Sequence, residues 1–259
     1  MLAGVWFSVY SYLILFLIIG ACCIWEFYGI TRRMRETPDR LFFISRAYSI
    51  GLTASVFICS YLMAIGEVDM GWMVTYPPAV LVFFVIELYG KSPRPLENMG
   101  LNVASQIYVA LPLAMLNFAV IIDGEYFGLV MMGMLFLVWV QDSGAYAWGS
   151  LFGKRPLFAR ISPNKTIEGF IGGALTVIGI SIAVYYVIGV LDMVDWLILA
   201  GLTIIFASLG DLIESMIKRS LSIKDSGTFL PGHGGFLDRF DALLFAIPAY
   251  AAYIVLIYR

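Results

Sequence analysis

Eight stretches of predominantly apolar residues, near 5–30, 45–65, 71–89, 101–121, 126–146, 168–190, 195–216 and 240–258, divide this chain of 259 residues. Each comes close to the ~20 residues a helix needs to cross a hydrocarbon core. The composition agrees: 61% of residues are hydrophobic and 13% charged, against roughly 45–50% and about 25% in soluble domains. The expected fold is therefore an all-α polytopic membrane protein with about eight spans. The range is seven to nine, because Arg46 interrupts the 41–66 stretch, which can begin as an interfacial segment before crossing.

The first run lacks a basic leader and is too long for a signal-peptide core, so it reads as a retained helix. Cys22, Cys23 and Cys59 fall inside spans without metal-ligand spacing and read as small apolar packing residues. No internal repeat is visible. The chain reads as one integrated membrane domain, with residues 1–100 supplying N-terminal spans and residues 101–259 carrying the chemistry.

Charge is sorted by side. With eight alternating spans, the loops after the first, third, fifth and seventh hold fifteen of the sixteen Lys and Arg residues, and Arg259 alone lies opposite. The opposite loops hold Glu67, Asp69, Asp123, Glu125, Asp192 and Asp195. The positive-inside rule puts the basic loops in the cytoplasm and both termini outside. Two of the basic loops, 147–167 and 217–238, are long and rich in Gly, Pro, Ser and Lys, and together they are expected to form a polar cavity.

The run from Ser215 to Asp241 gathers four cations, three aspartates, five Gly or Pro residues and the sole histidine. Ionisable groups at or beside the membrane are costly unless they serve a pathway or chemistry. On the seventh span, Asp211, Ser215 and Lys218 at i, i+4 and i+7 share a helical face. The plainer alternative is an intrahelical Asp211–Lys218 or Glu214–Lys218 pair that ends the helix. Asp238, Arg239 and Asp241 open the eighth span, with both acids on one side. Acids belong at a helix start by dipole alone, yet the antiparallel packing of spans seven and eight brings them to the depth of Asp211. Hard oxygen ligands beside Lys and Arg suit Mg²⁺.

Between these helices, GTFLPGHGGF contains Gly227, Gly232, Gly234 and Gly235. Glycine amides in succession form a nest for phosphate oxygens, and Lys218, Arg219, Lys224 and Arg239 supply countercharge. His233 suits a phosphate hydrogen bond; a metal ligand or a structural imidazole are the alternatives. A second polar cluster, 140–173, is not a Walker loop, since Arg155 stands where Ser or Thr is required. Asp142 is expected to end the fifth span in a polar turn, and Ser162-Pro163 to cap and open a new helix whose start Lys165 and Glu168 flank. Asp142 and Lys165 read as substrate contacts, whereas Lys154, Arg155 and Arg160 are explained by topology and anionic lipid. Gly169 and Gly173 have the spacing of a helix-packing stripe.

These residues resemble the phosphatidate cytidylyltransferase (CDP-diacylglycerol synthase) family in its bacterial form. Its signature is matched by Ser215, Lys218-Arg219, Lys224-Asp225, Gly227, Leu230-Pro231, His233-Gly234-Gly235, Asp238-Arg239 and Asp241. The stretches QDSGAYAWGSLFGK and ISPNKTIEGFIGG resemble family loops, whereas residues 1–100 match only as generic spans. The resemblance implies conversion of CTP and phosphatidate to CDP-diacylglycerol and pyrophosphate at the cytoplasmic face of the inner membrane. It also implies Mg²⁺ on Asp211 and Asp238, a monovalent cation such as K⁺ beside it, and a homodimer. The implied catalytic set is Asp211, Asp238, Asp241, Lys218, Arg219, Lys224, Asp225 and Arg239, with Ser215, His233, Gly234, Gly235, Asp142 and Lys165 contacting substrate. Rival readings are a CTP-dependent lipid kinase, a cytidylyltransferase acting on another lipid phosphate and, from another class, an ion-coupled transporter. The transporter would place its acids near the midplane in paired repeats.

Overall fold

The computed structural model describes residues 2–35, 37–223, 226–227 and 235–258. Within them eight helical spans run Val9–Met34, Asp39–Ala64, Met70–Gly90, Pro95–Val120, Gly128–Phe152, Ile167–Ile188, Met193–Ser220 and Leu237–Tyr258. The expected all-α membrane architecture is present. Large apolar side chains such as Leu88, Leu175 and Val187 stay exposed on the bundle's outer surface, as a lipid-facing surface requires.

A short helix, Leu2–Phe7, precedes the first span. Ser8 caps the break between them: its hydroxyl accepts from Ser11 N at 3.2 Å, while Ser11 Oγ accepts from Ser8 N at 3.1 Å. The second span starts at Asp39, so Arg46 lies within one continuous helix. The charge is tolerated because its guanidinium lies over the Trp25 ring and its Nη2 donates to Trp25 O at 2.5 Å. The connection of Ile121–Ile122 to Glu125–Tyr126 is a two-stranded hairpin. Asp123 and Gly124 sit there at φ 52° and 81°, the left-handed pair that a tight Asp-Gly turn uses.

Two expectations fail on the fifth and sixth spans. The fifth helix continues to Phe152, so Asp142 lies inside it rather than in a terminal turn. Nor does Ser162-Pro163 open a helix. Ser162–Thr166 is a strand paired antiparallel with Pro156–Phe158, a short hairpin in which a proline's missing N–H is tolerated. The cap is Thr166, whose Oγ1 accepts from Gly169 N at 3.1 Å and starts the helix at Ile167.

Spans five and six pack through their glycines. A Cβ on Gly169 would lie 3.0 Å from the Gly149 Cα, and one on Gly173 would lie 3.0 Å from the Ala145 N and the Gln141 O. The Gly169/Gly173 stripe is thus a helix-packing surface, as its spacing predicts.

The core gathers Phe16, Leu113, Leu116, Met134, Leu199 and Ile247, all essentially inaccessible. One buried polar node joins spans one, two and four. Tyr12 OH donates to Asn117 Oδ1 at 2.9 Å, and Asn117 Nδ2 donates to Phe57 O at 2.9 Å and to Ser60 Oγ at 2.8 Å.

Two spans contain a π-helical turn, Gln106–Ala110 in the fourth and Thr203–Ala207 in the seventh. In the fourth, Pro112 follows immediately. Its ring would crowd the carbonyl of Tyr108 in a regular α-helix, and the wider turn relieves that contact. In the seventh, Thr203 Oγ1 donates to Leu199 O at 2.7 Å and also meets Tyr250 OH. The turn sits directly before Ser208–Ser220, the helix that carries Asp211.

Candidate active site

Four helices bring their charged residues to one end of the bundle. Helix Ser208–Ser220 is polar along one side and apolar along the other, so Gly210, Leu212 and Glu214 are buried while Lys218 and Arg219 reach its last turn. It lies against the start of the eighth span at Gly210, where an added Cβ would come 2.6 Å from Asp241 O and 2.7 Å from Phe245 Cβ. That close approach places Asp211, Glu214 and Lys218 beside Asp238 and Asp241.

Lys218 is the centre of the arrangement. Its Nζ lies 2.6 Å from Glu214 Oε2 and 2.8 Å from Asp238 Oδ1, with side-chain exposures of 15% for Lys218, 2% for Glu214 and 12% for Asp238. The Glu214–Lys218 pair at i, i+4 is the ordinary intrahelical one, whereas the Asp238 contact ties the seventh helix to the eighth. Asp238 also accepts from Ser226 N at 3.0 Å and from Gly235 N at 2.8 Å. Asp241 is buried next to Glu214 and accepts from Ala242 N at 2.7 Å.

Asp211 does not pair with Lys218. Its Oδ2 meets the Lys165 ammonium, which comes from strand Ser162–Thr166. Asp142, Lys165 and Asp211 line one cavity of about 420 Å³ with Gln141, Asn164 and Ser208. Burial pushes the Lys165 ammonium below the ordinary lysine range, against the opposing pull of the Asp142 and Asp241 carboxylates. The result is a string of charge in two parts, Lys165 with Asp211 at the cavity that Asp142 also lines, and Lys218 between Glu214 and Asp238 further along the same helix.

Several residues singled out in the sequence stand apart from this string. Ser215 is half-buried on the same helix. Arg219 is exposed, and its Nε donates to Ile161 O at 3.4 Å, linking the hairpin turn to the seventh span. Arg239 lines a separate cleft of about 250 Å³ with Trp139 and Phe236. Gly235 is buried and gives its N–H to Asp238. Lys224, Asp225, His233 and Gly234 lie outside the described residues, as do Leu230, Pro231 and Gly232.

Two contributors escape sequence reasoning. Glu26 of the first span is 9% exposed and accepts from Ser226 Oγ at 3.1 Å and from Leu237 N at 2.8 Å. Gln141 is buried in the cavity wall and donates to Ser208 Oγ at 3.3 Å. The available signal for Glu26 was a lone acid in the apolar run IGACCIWEFYGI, since an intramembrane ionisable residue points to function by default.

Among the described residues, no three His, Cys, Asp or Glu side chains are grouped as a metal centre. Asp142 and Asp211 nevertheless present hard carboxylate oxygens to a polar cavity. That donor set fits Mg²⁺, which takes one or two protein carboxylates and completes its shell with water and phosphate oxygens.

Comparison with known proteins follows the same direction. The model of the family described as "Cytidylyltransferase family" matches residues 1–257. A phosphatidate cytidylyltransferase of Staphylococcus aureus (strain COL) is 50% identical over 115 residues, covering 43% of this chain and 44% of the relative. Those of Staphylococcus haemolyticus (strain JCSC1435) and Staphylococcus epidermidis (strain ATCC 12228) are 49% identical over 114 residues, with the same coverage. The matched stretch spans less than half the length of these curated relatives.

Proposed function

Because the chain belongs to the cytidylyltransferase family, we propose that it transfers the cytidylyl group of CTP to the phosphate of phosphatidate, giving CDP-diacylglycerol and pyrophosphate. The observation that carries this reading is the string of acids and ammonium groups at one end of an apolar bundle, bordering a cavity of about 420 Å³. An enzyme joining a water-soluble triphosphate to a membrane-embedded phosphate needs such a place. Fifteen of the sixteen Lys and Arg residues lie in, or at the helix ends flanking, the connections on the side that bears the site, which supports a cytoplasmic site in the bacterial inner membrane.

The chemistry needs little from a general base. A phosphate monoester has a second pKa near ~6 and is mostly dianionic at neutral pH. One of its oxygens forms a bond to the α-phosphorus of CTP while the bond to the bridging oxygen breaks, and pyrophosphate leaves with that electron pair. The protein's work is to align two anions and offset their repulsion. Lys165 and Lys218 supply positive charge, and Arg219 and Arg239 add to the field around the site. Asp211, which lines the cavity, and Asp238, at the start of the adjoining helix, would hold Mg²⁺, and the ion would supply positive charge against the negative charge that develops on the phosphates. A monovalent cation such as K⁺ and a homodimer belong to the same reading.

Purified protein in phosphatidate–detergent micelles, supplied with CTP labelled at either the α- or the γ-phosphate, tests it directly. Label should enter lipid from α-labelled but not γ-labelled CTP, and only with Mg²⁺. Asp238→Asn should lower the rate about 10–100-fold with lipid binding retained. Lipid labelled from the γ-position would mean a kinase, and full activity in Asp238→Asn would remove that residue from the site.

A further inference from the structure

Two carboxylates hold Ser226 together with Gly235 and Leu237, and one of them comes from the far end of the chain. Asp238 accepts the Ser226 and Gly235 N–H groups. Glu26 accepts the Ser226 hydroxyl and the Leu237 N–H. Ser226 and its glycine neighbours are thus held between the two acids. An added Cβ on Gly227 would lie 2.6 Å from Glu26 Oε1, and one on Gly235 would lie 2.8 Å from Glu26 Cδ. Both glycines are where they are because the Glu26 carboxylate passes against them. Side chains within a membrane bundle seldom include an acid unless it answers a specific need, and here Ser226 and Leu237 both donate to it.

We infer that Glu26 is a positioning residue for the proposed reaction, holding Ser226 and Leu237 together so that Asp238 is aimed. It touches Ser226 and Leu237 rather than the cavity that holds Asp142, Lys165 and Asp211, and it acts through these two residues. Supporting groups of this kind hold a functional side chain in productive geometry, and their loss typically weakens metal affinity or activity 10–100-fold. The inference rests on the cytidylyltransferase reading for its activity readout, but not for its binding readout.

Glu26→Ala, Glu26→Gln and Ser226→Ala separate the possibilities. A Gln amide oxygen can still accept from both Ser226 and Leu237; Ala cannot, and Ser226→Ala removes one of the two donors. Mn²⁺ alone, titrated into the protein in detergent and followed by electron paramagnetic resonance, should bind about tenfold more weakly in Glu26→Ala. Binding should fall within about threefold of wild type in Glu26→Gln, with Ser226→Ala between them. In turnover, the Mg²⁺ concentration for half-activation should rise in the same order, while KM for phosphatidate stays fixed. A purely structural role would reduce the amount of active protein and leave Mn²⁺ affinity and half-activation unchanged, which overturns the inference. So would a Glu26→Gln as impaired as Glu26→Ala, because charge rather than hydrogen-bond acceptance would then matter. If Glu26→Ala does not fold, Glu26→Gln and Ser226→Ala still decide it. An inactive wild type that binds Mn²⁺ with the expected variant order would sink the reaction assignment and keep the positioning role.

Discussion

Replacing Lys218 with Met tests the charge arrangement most severely. One ammonium faces two carboxylates, 2.6 Å from Glu214 and 2.8 Å from Asp238, and none of the three side chains is more than 15% exposed. Methionine fills much the same volume but leaves both acids without a counter-ion. Removing one partner of a buried pair costs about 3–5 kcal/mol, because the remaining charge stays buried. Asp238 retains its N–H donors from Ser226 and Gly235, which moves the expected loss to about 3–4 kcal/mol. At roughly 2–4 °C per kcal/mol for a chain of this size, Tm should drop by about 6–16 °C. Glu214→Gln should lose much less, since Lys218 then faces one carboxylate instead of two. The double variant Lys218→Met/Glu214→Leu should recover at least half of the deficit, a non-additivity expected only of groups in contact. Thermal unfolding in detergent at one fixed scan rate is the assay, because such unfolding is commonly irreversible. A Lys218→Met variant within about 3 °C of wild type, or a Glu214→Gln variant equally destabilised, would refute the picture of one buried cation balancing two acids.

Three further outcomes follow from other parts of the molecule. Lys165 lies outside the spans and burial lowers its pKa, so on raising the pH its charge beside Asp211 is lost earlier than that of an ordinary lysine near ~10.4. The alkaline limb of the pH–rate profile should therefore begin below that value and shift upward in Lys165→Arg, and an unmoved limb would dissociate Lys165 from turnover. Gly210→Ala forces a methyl against Asp241 O and Phe245 and should cost about 1–3 kcal/mol along with activity. Gly179→Ala meets nothing within 4 Å and should be neutral or mildly stabilising in the same thermal scan. Asn117→Ala orphans Tyr12 OH and removes one donor each from Ser60 Oγ and Phe57 O, which keep the hydrogen bond between them, and should lower stability by about 1–3 kcal/mol, leaving KM for CTP unchanged in the labelled-lipid assay.

The eight spans were legible because hydropathy counts residues, and a membrane demands a minimum count whatever the tertiary packing. What a count misses is where a helix stops when its polar end lines a cavity. Asp142 looked like a terminus, yet the helix runs on to Phe152 with Gly144 and Gly149 packed on the sixth span. Ser162-Pro163 carries a helix-start signature that the hairpin overrides, since pairing with Pro156–Phe158 satisfies the backbone and Thr166 caps instead. The clustering of Asp211, Lys218 and Asp238 could be anticipated from helical phase and antiparallel adjacency. Arg239 could not be placed that way: as the neighbour of Asp238 on a helix it points about 100° away, toward Trp139. Glu26 meets Ser226 across 200 positions, and no periodicity encodes a contact of that separation.

The π-helical turn at Thr203–Ala207 makes the seventh span two helices with independent rotational settings. Its outer part is keyed to the core by Trp196, Leu199 and Ala200, and its inner part presents Asp211 to the cavity. One extra residue in the turn offsets the two by about 100°. Deleting a single residue there would leave a 27-residue span, still ample to cross the bilayer, with every apolar contact above the turn preserved. Below it, Asp211, Ser215 and Lys218 would swing together by about 100° from their present orientation. In this span, then, insertion length works as an angular coordinate: a protein can acquire or lose a polar face at constant hydropathy, and alignments that close a one-residue gap here would superimpose two different surfaces.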